Sequence, residues 1–283
     1  MKSFHRRTAR PAPQPVARPR PAHGGLPRAD QLLVEKGLAP SRTAAQRLIA
    51  DGRVSWLGER GWLPVGKPAE TLPAEAELRV AEDASDRYVS RGGLKLAGAL
   101  AHTGLSVAGF TCLDVGQSTG GFSDCLLQAG AAKVVGVDVG HGQLHPRLSG
   151  NTRLVCIEGC NARHLCPGDL AQHLPPTGFD LIVGDLSFIS LSLVLPQLPP
   201  LLAPAGALLM LVKPQFEVGP EGVGKGGIVQ DPALYAVVDA KVRAAATGCG
   251  LAVQDYFDSP ITGGDGNREF FMFARHAPAP ARS

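Results

Sequence analysis

The spacing of hydrophobic positions divides the chain into two kinds of segment. Between residues 28 and 80 the segments are short and mixed in type. The pattern predicts helices over 30–36 and 41–50 and strands over 54–57 and 78–80. Ser41 stands where a helix N-cap is preferred, and Gly37 follows the first helix where the chain must leave it. This stretch therefore predicts a small α+β domain.

From residue 85 onward, apolar strands alternate with helical segments. The predicted strands lie at 110–114, 133–138, 153–158, 179–185, 207–213, 251–258 and 268–275. Helical patterns occur at 120–129, in the leucine-rich stretch after residue 185, and at 231–247. This alternation predicts an α/β fold with a doubly wound, mostly parallel sheet of seven strands.

The two ends of the chain lack either pattern. Residues 1–27 contain six prolines and six basic residues but no acidic residue, which predicts a disordered basic arm. Residues 276–283 predict a disordered tail. We therefore expect folded domains over 28–84 and 85–275, the first one small.

Composition narrows the class of protein. Of the 283 residues, 44% are hydrophobic, which is enough for a substantial core. The longest apolar run, 191–212, contains four prolines, and the basic N-terminal stretch is not followed by an apolar signal segment. Six cysteines lie mostly within apolar runs, as reduced thiols do. We expect a cytoplasmic protein, monomeric and not associated with a membrane.

Charge is distributed unevenly along the chain. Residues 1–95 contain 17 basic and 10 acidic residues, whereas the remainder contains 11 basic and 15 acidic residues. The excess of basic residues in residues 1–95 predicts contact with a polyanion such as RNA, although a solvated tail would account for part of this excess. The candidate phosphate-binding side chains are Arg28, Lys36, Arg42, Arg47, Arg53 and Arg91.

A glycine-rich segment, DVGQSTGGFSD, follows the strand at 110–114. Glycines allow a backbone turn to approach a ligand closely before a helix begins. The spacing differs from Gly-x-Gly-x-x-Gly, which disfavours a dinucleotide site. Asp138, at the end of the next strand, offers a carboxylate to two ribose hydroxyls, and Asn161 follows the third strand, where it can contact an adenine edge.

Together these strand ends resemble the S-adenosylmethionine site of Rossmann-like methyltransferases. The resemblance implies a set of cofactor-binding residues on the glycine-rich loop and on the strand ends beside it. They are Asp114, Gly116, Ser118, Thr119, Gly120, Gly121, Phe122, Asp138, Asn161, Ala162, Asp185 and Phe188.

Four charged residues lie at strand ends or in adjoining segments of the larger domain, where a doubly wound sheet carries its chemistry. They are Lys95, Asp185, Lys213 and Glu269. A lysine that ends the apolar run LLMLVK is poorly suited to the core and well suited to a site. Surface ion pairing is the alternative interpretation for any one of them alone.

The order lysine, aspartate, lysine, glutamate is similar to the tetrad of the FtsJ-like ribose 2′-O-methyltransferases. The supporting motifs are DVGQSTGGFSD, GDLSFISL, VKPQFEVG, VGKGGIV and GNREFF. The stretch RADQLLVEKGLAPSRTAAQRLIADGRVSWLG resembles the alpha-L RNA-binding module of a small-subunit ribosomal protein. Both together resemble the TlyA/hemolysin-A family of ribosomal RNA 2′-O-methyltransferases.

The resemblance implies S-adenosylmethionine as cofactor, ribosomal RNA or ribosomal subunits as partner, and cytidine ribose as the methylated group. It places the tetrad on Lys95, Asp185, Lys213 and Glu269. A ribose hydroxyl must lose its proton to attack a methyl group, and a lysine that has itself lost its proton can take it. Lys213 is the candidate base, and Lys95 is the neighbouring cation.

Particular segments of the sequence disfavour other functions. Base N-methylation favours an Asn/Asp-Pro-Pro-aromatic loop, whereas residues 185–188 are DLSF. Residues 219–226 imitate a phosphate-binding loop without its Ser or Thr, and we interpret them as a mobile lid near the active site. The Cys and His spacing at 156–173 fits no common zinc site, so we expect no metal.

Two further functional classes remain as alternatives. One is an RNA-binding or ribosome-assembly factor without catalysis, which an intact tetrad disfavours. The other is a pore-forming haemolysin, which is disfavoured because it would need a secretion signal and membrane-inserting segments, and the sequence predicts neither.

Overall fold

The structure, a computed structural model, describes residues 26–81 and 87–278, and these ranges belong to two compact units. Most of the predicted basic arm, the predicted boundary at 84 and 85, and the end of the predicted tail lie outside the described residues. Within these ranges no helix is long and apolar enough to cross a membrane. No group of three or more His, Cys, Asp and Glu side chains in the same ranges is arranged to hold a metal ion.

The smaller unit packs two helices against a three-stranded antiparallel sheet of order β2-β1-β3. Its elements are α1 (Ala29–Glu35), α2 (Arg42–Ala50), β1 (Val54–Gly58), β2 (Gly61–Pro64) and β3 (Leu78–Val80). Ser41 caps α2 as predicted, because its hydroxyl accepts a hydrogen bond from the backbone N–H of Ala44 at 3.2 Å. Apolar side chains from both helices and from β1 form the core, among them Leu33, Ile49 and Val54.

The larger unit contains a seven-stranded sheet of order β6-β5-β4-β7-β8-β10-β9. Its strands are β4 (Thr111–Val115), β5 (Lys133–Asp138), β6 (Leu154–Glu158), β7 (Phe179–Gly184), β8 (Leu202–Val212), β9 (Leu251–Asp258) and β10 (Phe270–His276). Its helices are α3 (Gly92–Thr103), α4 (Gly121–Gln128), α5 (Pro167–Leu170) and α6 (Ala233–Gly248). The doubly wound fold predicted from the sequence is confirmed.

The order of the strands fixes where a ligand can bind. Strands β4 to β8 pair in parallel, and β10 runs antiparallel to both β8 and β9. The chain runs outward from β4 through β5 to β6 and then returns to the other side of β4 as β7. Such a reversal opens a crevice at the carboxyl ends of the two strands that flank it. The loops after β4 and β7 therefore border the expected site.

Alternating residues of the parallel strands enter two separate cores, one on each face of the sheet. Leu113 and Ile182 pack on the face covered by α6, whereas Leu181 and Val183 pack on the face covered by α3 and α4. Burial on both faces explains why these strands are continuous apolar runs in the sequence. The sheet is thus packed on both faces, and the loops at the ends of its strands begin from buried residues.

The prediction of a leucine-rich helix after the fourth strand is wrong. The chain instead makes three short 3₁₀ turns, Leu191–Leu193, Leu195–Gln197 and Pro199–Leu201, and β8 begins at Leu202 rather than at residue 207. Proline lacks an N–H donor and clashes with the preceding helical turn, and this stretch contains three prolines before β8. Most of these leucines are buried all the same, because Leu191, Leu195 and Leu198 join the core that includes residues of α6, whereas Leu193 is exposed.

Candidate active site

Four elements bring the predicted tetrad together. Lys95 lies in the first turn of α3, Asp185 follows β7, Lys213 follows β8, and Glu269 precedes β10. Strands β8 and β10 are antiparallel, and Val212 pairs with Phe270, so the end of one strand lies beside the start of the other. The four residues, far apart in the chain, therefore meet at one edge of the sheet.

The tetrad forms a continuous chain of ion pairs. Lys95 Nζ lies 2.6 Å from Glu269 Oε2 and 3.7 Å from Asp185 Oδ2. The other oxygen of Asp185, Oδ1, lies 2.6 Å from Lys213 Nζ. Two ammonium groups thus alternate with two carboxylates, and Asp185 bridges the two lysines.

Burial distinguishes this cluster from a surface ion-pair network. Side-chain exposure is 9% for Lys95, 11% for Lys213, 22% for Asp185 and 3% for Glu269. Surface pairs are screened by water and contribute little, whereas charges removed from water interact strongly and need their partners. Surface pairing, the alternative weighed from the sequence, does not describe this arrangement.

A cavity of about 320 Å³ opens onto Lys95, Lys213 and Glu269. Its walls include the aromatic rings of Phe188 and Phe216, whose centroids are 5.3 Å apart. Phe188 is 92% exposed and has a φ of 62°, a left-handed conformation that is uncommon for a bulky residue. An exposed aromatic side chain on a strained backbone, beside buried charges, is typical of a functional site.

Two adjoining cavities lie along the loops after β4 and β7. The larger, of about 400 Å³, is bordered by the ends of β5 and β7 and by the segment after β6. The smaller, of about 160 Å³, lies between the glycine-rich loop and the start of α3. The predicted cofactor-binding residues that line one or both are Gly116, Ser118, Thr119, Gly121, Phe122, Asp138, Asn161, Ala162, Asp185 and Phe188. Asp114 and Gly120 line neither.

Gly116 is required where the glycine-rich loop crosses the end of β7. Its φ is 83°, and a Cβ at this position would lie 3.1 Å from the carbonyl oxygen of Asp185. A larger residue would therefore strain the backbone and separate the two loops. The glycine keeps the larger cavity and the tetrad adjacent.

Asp138 holds the glycine-rich loop with both of its oxygens. The backbone N–H of Ser118 donates to Oδ2 at 2.7 Å, and that of Gly140 donates to Oδ1 at 2.7 Å. The carboxylate still borders the larger cavity, and each oxygen has a further lone pair for a ligand hydroxyl. Asn161 accepts the N–H of Arg163 with its side-chain oxygen, which leaves its NH₂ group for the cavity.

Asp114 supports the glycine-rich loop through buried hydrogen bonds. It is fully buried, and its Oδ2 accepts a hydrogen bond at 2.7 Å from Ser123, whose hydroxyl in turn accepts one from Gln117. Its Oδ1 has no hydrogen-bond partner among the residues that the structure describes. Burial raises the pKa of Asp114 to about 7, against the smaller opposing effect of the Ser123 hydrogen bond. Asp114 therefore acts through the loop rather than in the wall of a cavity.

The candidate RNA-binding arginines divide into two groups. Arg28 and Arg42 both bond to Asp30, which is fully buried and also accepts a hydrogen bond from Gln46. The Arg28 hydrogen bond holds the pKa of Asp30 far below its usual range. These arginines stabilise the fold of the small unit as well as presenting charge.

The other candidate cations lie on α1, on α2 and in loops. Arg53 donates to the carbonyl of Ala81, and Arg91 donates to the carbonyl of Thr262 at 3.1 Å. Lys36 and Arg47 are exposed at the end of α1 and on α2. They are the candidates best placed for a phosphate contact.

Sequence reasoning missed two residues at this site. Ser187 accepts a hydrogen bond from Lys213 Nζ at 2.8 Å and lines all three cavities. Glu217 has a side-chain exposure of 1% and ties the chain after β8 to Ser190 and Leu191 in the loop after β7. Both lie within quoted motifs, but a single Ser or Glu carries no periodic signal that reveals its partner.

Comparison with known proteins gives matches over both units. The family of FtsJ-like methyltransferases matches residues 88–276, and the S4 domain matches residues 27–55. The 16S/23S rRNA (cytidine-2′-O)-methyltransferase TlyA of Mycobacterium tuberculosis is 44% identical over 88% of this chain and 89% of its own length. Hemolysin A of Brachyspira hyodysenteriae is 36% identical over 86% of this chain and 97% of its own.

A solved structure shows the same similarity. The structure of a candidate hemolysin from Streptococcus thermophilus has 38% sequence identity to this chain and covers 90% of each chain, with a TM-score of 0.69.

Proposed function

The chain belongs to the FtsJ-like methyltransferase family, and on that premise we propose that it transfers a methyl group from S-adenosylmethionine to a ribose 2′-hydroxyl of ribosomal RNA, with cytidine as the target nucleoside. The observation that carries this proposal is the buried tetrad at the switch point of the sheet, beside a cleft bordered by Asp138. We assign methyl transfer to residues 85–275 and RNA binding to residues 28–84.

The chemistry of the cleft fits S-adenosylmethionine. Asp138 offers carboxylate oxygens suited to ribose hydroxyls, and the side-chain NH₂ of Asn161 suits an acceptor on adenine. Ser118, Thr119 and Gly121 line the smaller cavity at the start of α4, where backbone N–H groups favour a carboxylate. The bound cofactor supplies a methyl group already activated on a sulfonium.

The tetrad supplies what the acceptor lacks. A 2′-hydroxyl is a weak nucleophile until its proton is removed, and Lys213, once its own proton has passed to solvent, takes that proton at Nζ. Asp185 fixes Lys213 from one side, and Lys95 is fixed in turn by Glu269. Orientation of the hydroxyl toward the methyl group supplies much of the remaining rate. No step of this mechanism needs a metal.

The small unit is assigned to binding of the RNA substrate. The S4 match covers α1, α2 and the start of β1, and Lys36 and Arg47 are exposed there. Phosphate contacts of this kind bind RNA without reading its sequence. We expect the protein to act as a monomer in the cytoplasm, on ribosomal RNA within ribosomal subunits.

The direct test is methyl transfer by the full chain. Purified protein, radiolabelled S-adenosylmethionine and ribosomal subunits lacking 2′-O-methylcytidine should yield labelled RNA, with the position mapped by alkaline-resistance sequencing. The Lys213→Ala protein is the control for contaminating activity. RNA binding without transfer would instead support an assembly factor, and lysis of erythrocytes without cofactor binding would support a haemolysin.

A further inference from the structure

Ser187 lies at the junction of the cofactor cleft and the tetrad. It lines the larger cavity, the smaller cavity and the cavity bordered by Lys95 and Glu269. Its hydroxyl oxygen accepts a hydrogen bond from Lys213 Nζ at 2.8 Å. The side chain is exposed within the cleft, so burial of the hydroxyl does not explain this contact.

The Lys213 nitrogen has three positions besides its bond to carbon, and its two contacts account for two of them. Lys213 Nζ lies 2.6 Å from Asp185 Oδ1 as an ion pair, and it donates a hydrogen bond to Ser187 Oγ at 2.8 Å. An ammonium has three N–H groups, whereas a neutral amine has two N–H groups and one lone pair. When a neutral Lys213 keeps one N–H on Ser187 and the other toward Asp185, the lone pair takes the third position. Lys213 lines the two cavities beside the glycine-rich loop and the tetrad, where the proposed function places the acceptor hydroxyl.

Resting on the proposed function, we propose that Ser187 is a positioning residue that fixes the rotation of the Lys213 amine and aims its lone pair at the ribose 2′-hydroxyl. With Asp185 alone, the amine can rotate about its last C–N bond and place an N–H where the lone pair is needed. The proton then moves from the 2′-oxygen to Nζ, the oxygen bonds to the methyl carbon, and the carbon–sulfur bond breaks with its electron pair left on sulfur. Ser187 itself neither gains nor loses a proton.

The role of Ser187 is separable from packing because the side chain is small and exposed. Ser187→Thr retains a hydroxyl, and Ser187→Val has nearly the same shape without one. Loss of one neutral hydrogen bond corresponds to a fall of about 3- to 10-fold in rate. We therefore expect the single-turnover methylation rate to fall by that factor in Ser187→Ala and Ser187→Val and to stay within about twofold of wild type in Ser187→Thr. The dissociation constants for S-adenosylmethionine and RNA should change by less than about threefold.

A double-mutant cycle tests whether Ser187 acts through Lys213. In the Lys213→Ala background, Ser187→Ala should cause no further loss of rate, because the group that it orients is gone. Ser149→Ala, an exposed serine that lines none of the three cavities, is the matched control.

Each outcome separates the inference from the proposed function. Additive losses in the double variant, or equal rates for Ser187→Thr and Ser187→Val, would overturn the inference while leaving methyl transfer established. A weakened S-adenosylmethionine affinity with an unchanged rate at saturation would assign Ser187 to cofactor binding and also overturn it. Absence of transfer by the wild-type protein would overturn both.

Discussion

Lys213 and Lys95 share a single carboxylate, that of Asp185, whose two oxygens lie 2.6 Å and 3.7 Å from the respective ammonium nitrogens. The shorter contact belongs to the proposed base, whereas Lys95 makes its own shorter contact, of 2.6 Å, with Glu269. Asp185 therefore serves mainly Lys213, and Glu269 serves mainly Lys95. This division predicts different consequences for the loss of each lysine.

Lys95→Met should destabilise the larger unit as well as reduce activity. Glu269 is 3% exposed, and without Lys95 its charge remains buried without its close partner. Leaving a buried charge uncompensated costs about 3–5 kcal/mol. Urea unfolding should show a loss of this order, and adding Glu269→Gln should restore much of the stability without restoring methyl transfer. Lys225→Met, at an exposed lysine, should leave stability unchanged; a comparable loss there would point to a general effect of lost charge.

Asp138→Ala should weaken S-adenosylmethionine binding through two effects. The variant removes the acceptor for proposed ribose hydroxyls, and it releases the backbone N–H groups of Ser118 and Gly140. Hydrogen bonds to a charged group contribute about 1.5–3 kcal/mol each. Calorimetry should show at least a tenfold weaker affinity, with an intermediate value for Asp138→Asn. Glu158→Gln changes a carboxylate at the end of the adjacent strand that lines neither cofactor cavity, and equal weakening by this control would contradict the assignment.

Asp114 gives the larger unit a defined pH dependence. Its pKa of about 7 when folded exceeds that of an unfolded carboxyl group, because burial disfavours the charged form. The folded state therefore binds more protons than the unfolded state between about pH 4 and pH 7, and the stabilisation present below pH 4 is lost as the pH rises through 7. Asp114→Asn cannot ionise, so its stability relative to wild type should increase with pH across this window. Urea unfolding at several pH values measures the difference, and a constant difference would exclude a buried, titrating Asp114.

The sequence predicts the sheet well because strands depend on a local pattern. Apolar runs mark strands buried on both faces, and a charged residue that ends such a run must lie at the edge of the sheet. The sequence thus places Lys213 at a strand end, whereas the grouping of Lys213 with Glu269 comes from the resemblance to the FtsJ-like methyltransferases. Leucine spacing suits both a helix and the turns at 191–201, and only the prolines distinguish the two structures.

Roles set by partners distant in the chain could not be predicted in this way. Asp30 looks like a solvated helix residue in the sequence, yet it is fully buried beneath Arg28 and Arg42. Asp138 was expected to serve a ligand, and its bonds to Ser118 and Gly140 were not foreseen. Such contacts form only after the chain has closed its loops, so no local pattern reports them.

The two groups of basic residues in the small unit should respond differently to substitution. Lys36→Ala and Arg47→Ala, at exposed positions, should lower RNA affinity and reduce the slope of log affinity against log salt by about 0.7–0.9 for each phosphate that is no longer neutralised. Arg42→Ala should in addition destabilise the unit, because Asp30 loses a charged partner. Filter binding at several salt concentrations, together with thermal unfolding, separates the effects. An unchanged salt slope in the Lys36→Ala/Arg47→Ala double variant would exclude these two residues from RNA binding.

Lys213→Ala and Lys213→Arg together test the identity of the base. Alanine removes the proposed proton acceptor, and general base catalysis typically contributes about 10²–10⁴-fold, so the single-turnover rate should fall by that factor. Arginine keeps a positive charge beside Asp185 but stays protonated, so it cannot accept the proton and should not restore the rate. Affinities for S-adenosylmethionine and RNA should change far less than the rate, because the glycine-rich loop and the small unit are untouched. Near-normal methylation by the arginine variant would show that Lys213 serves only as an electrostatic anchor for Asp185, and the base would then have to be sought elsewhere in the cavity.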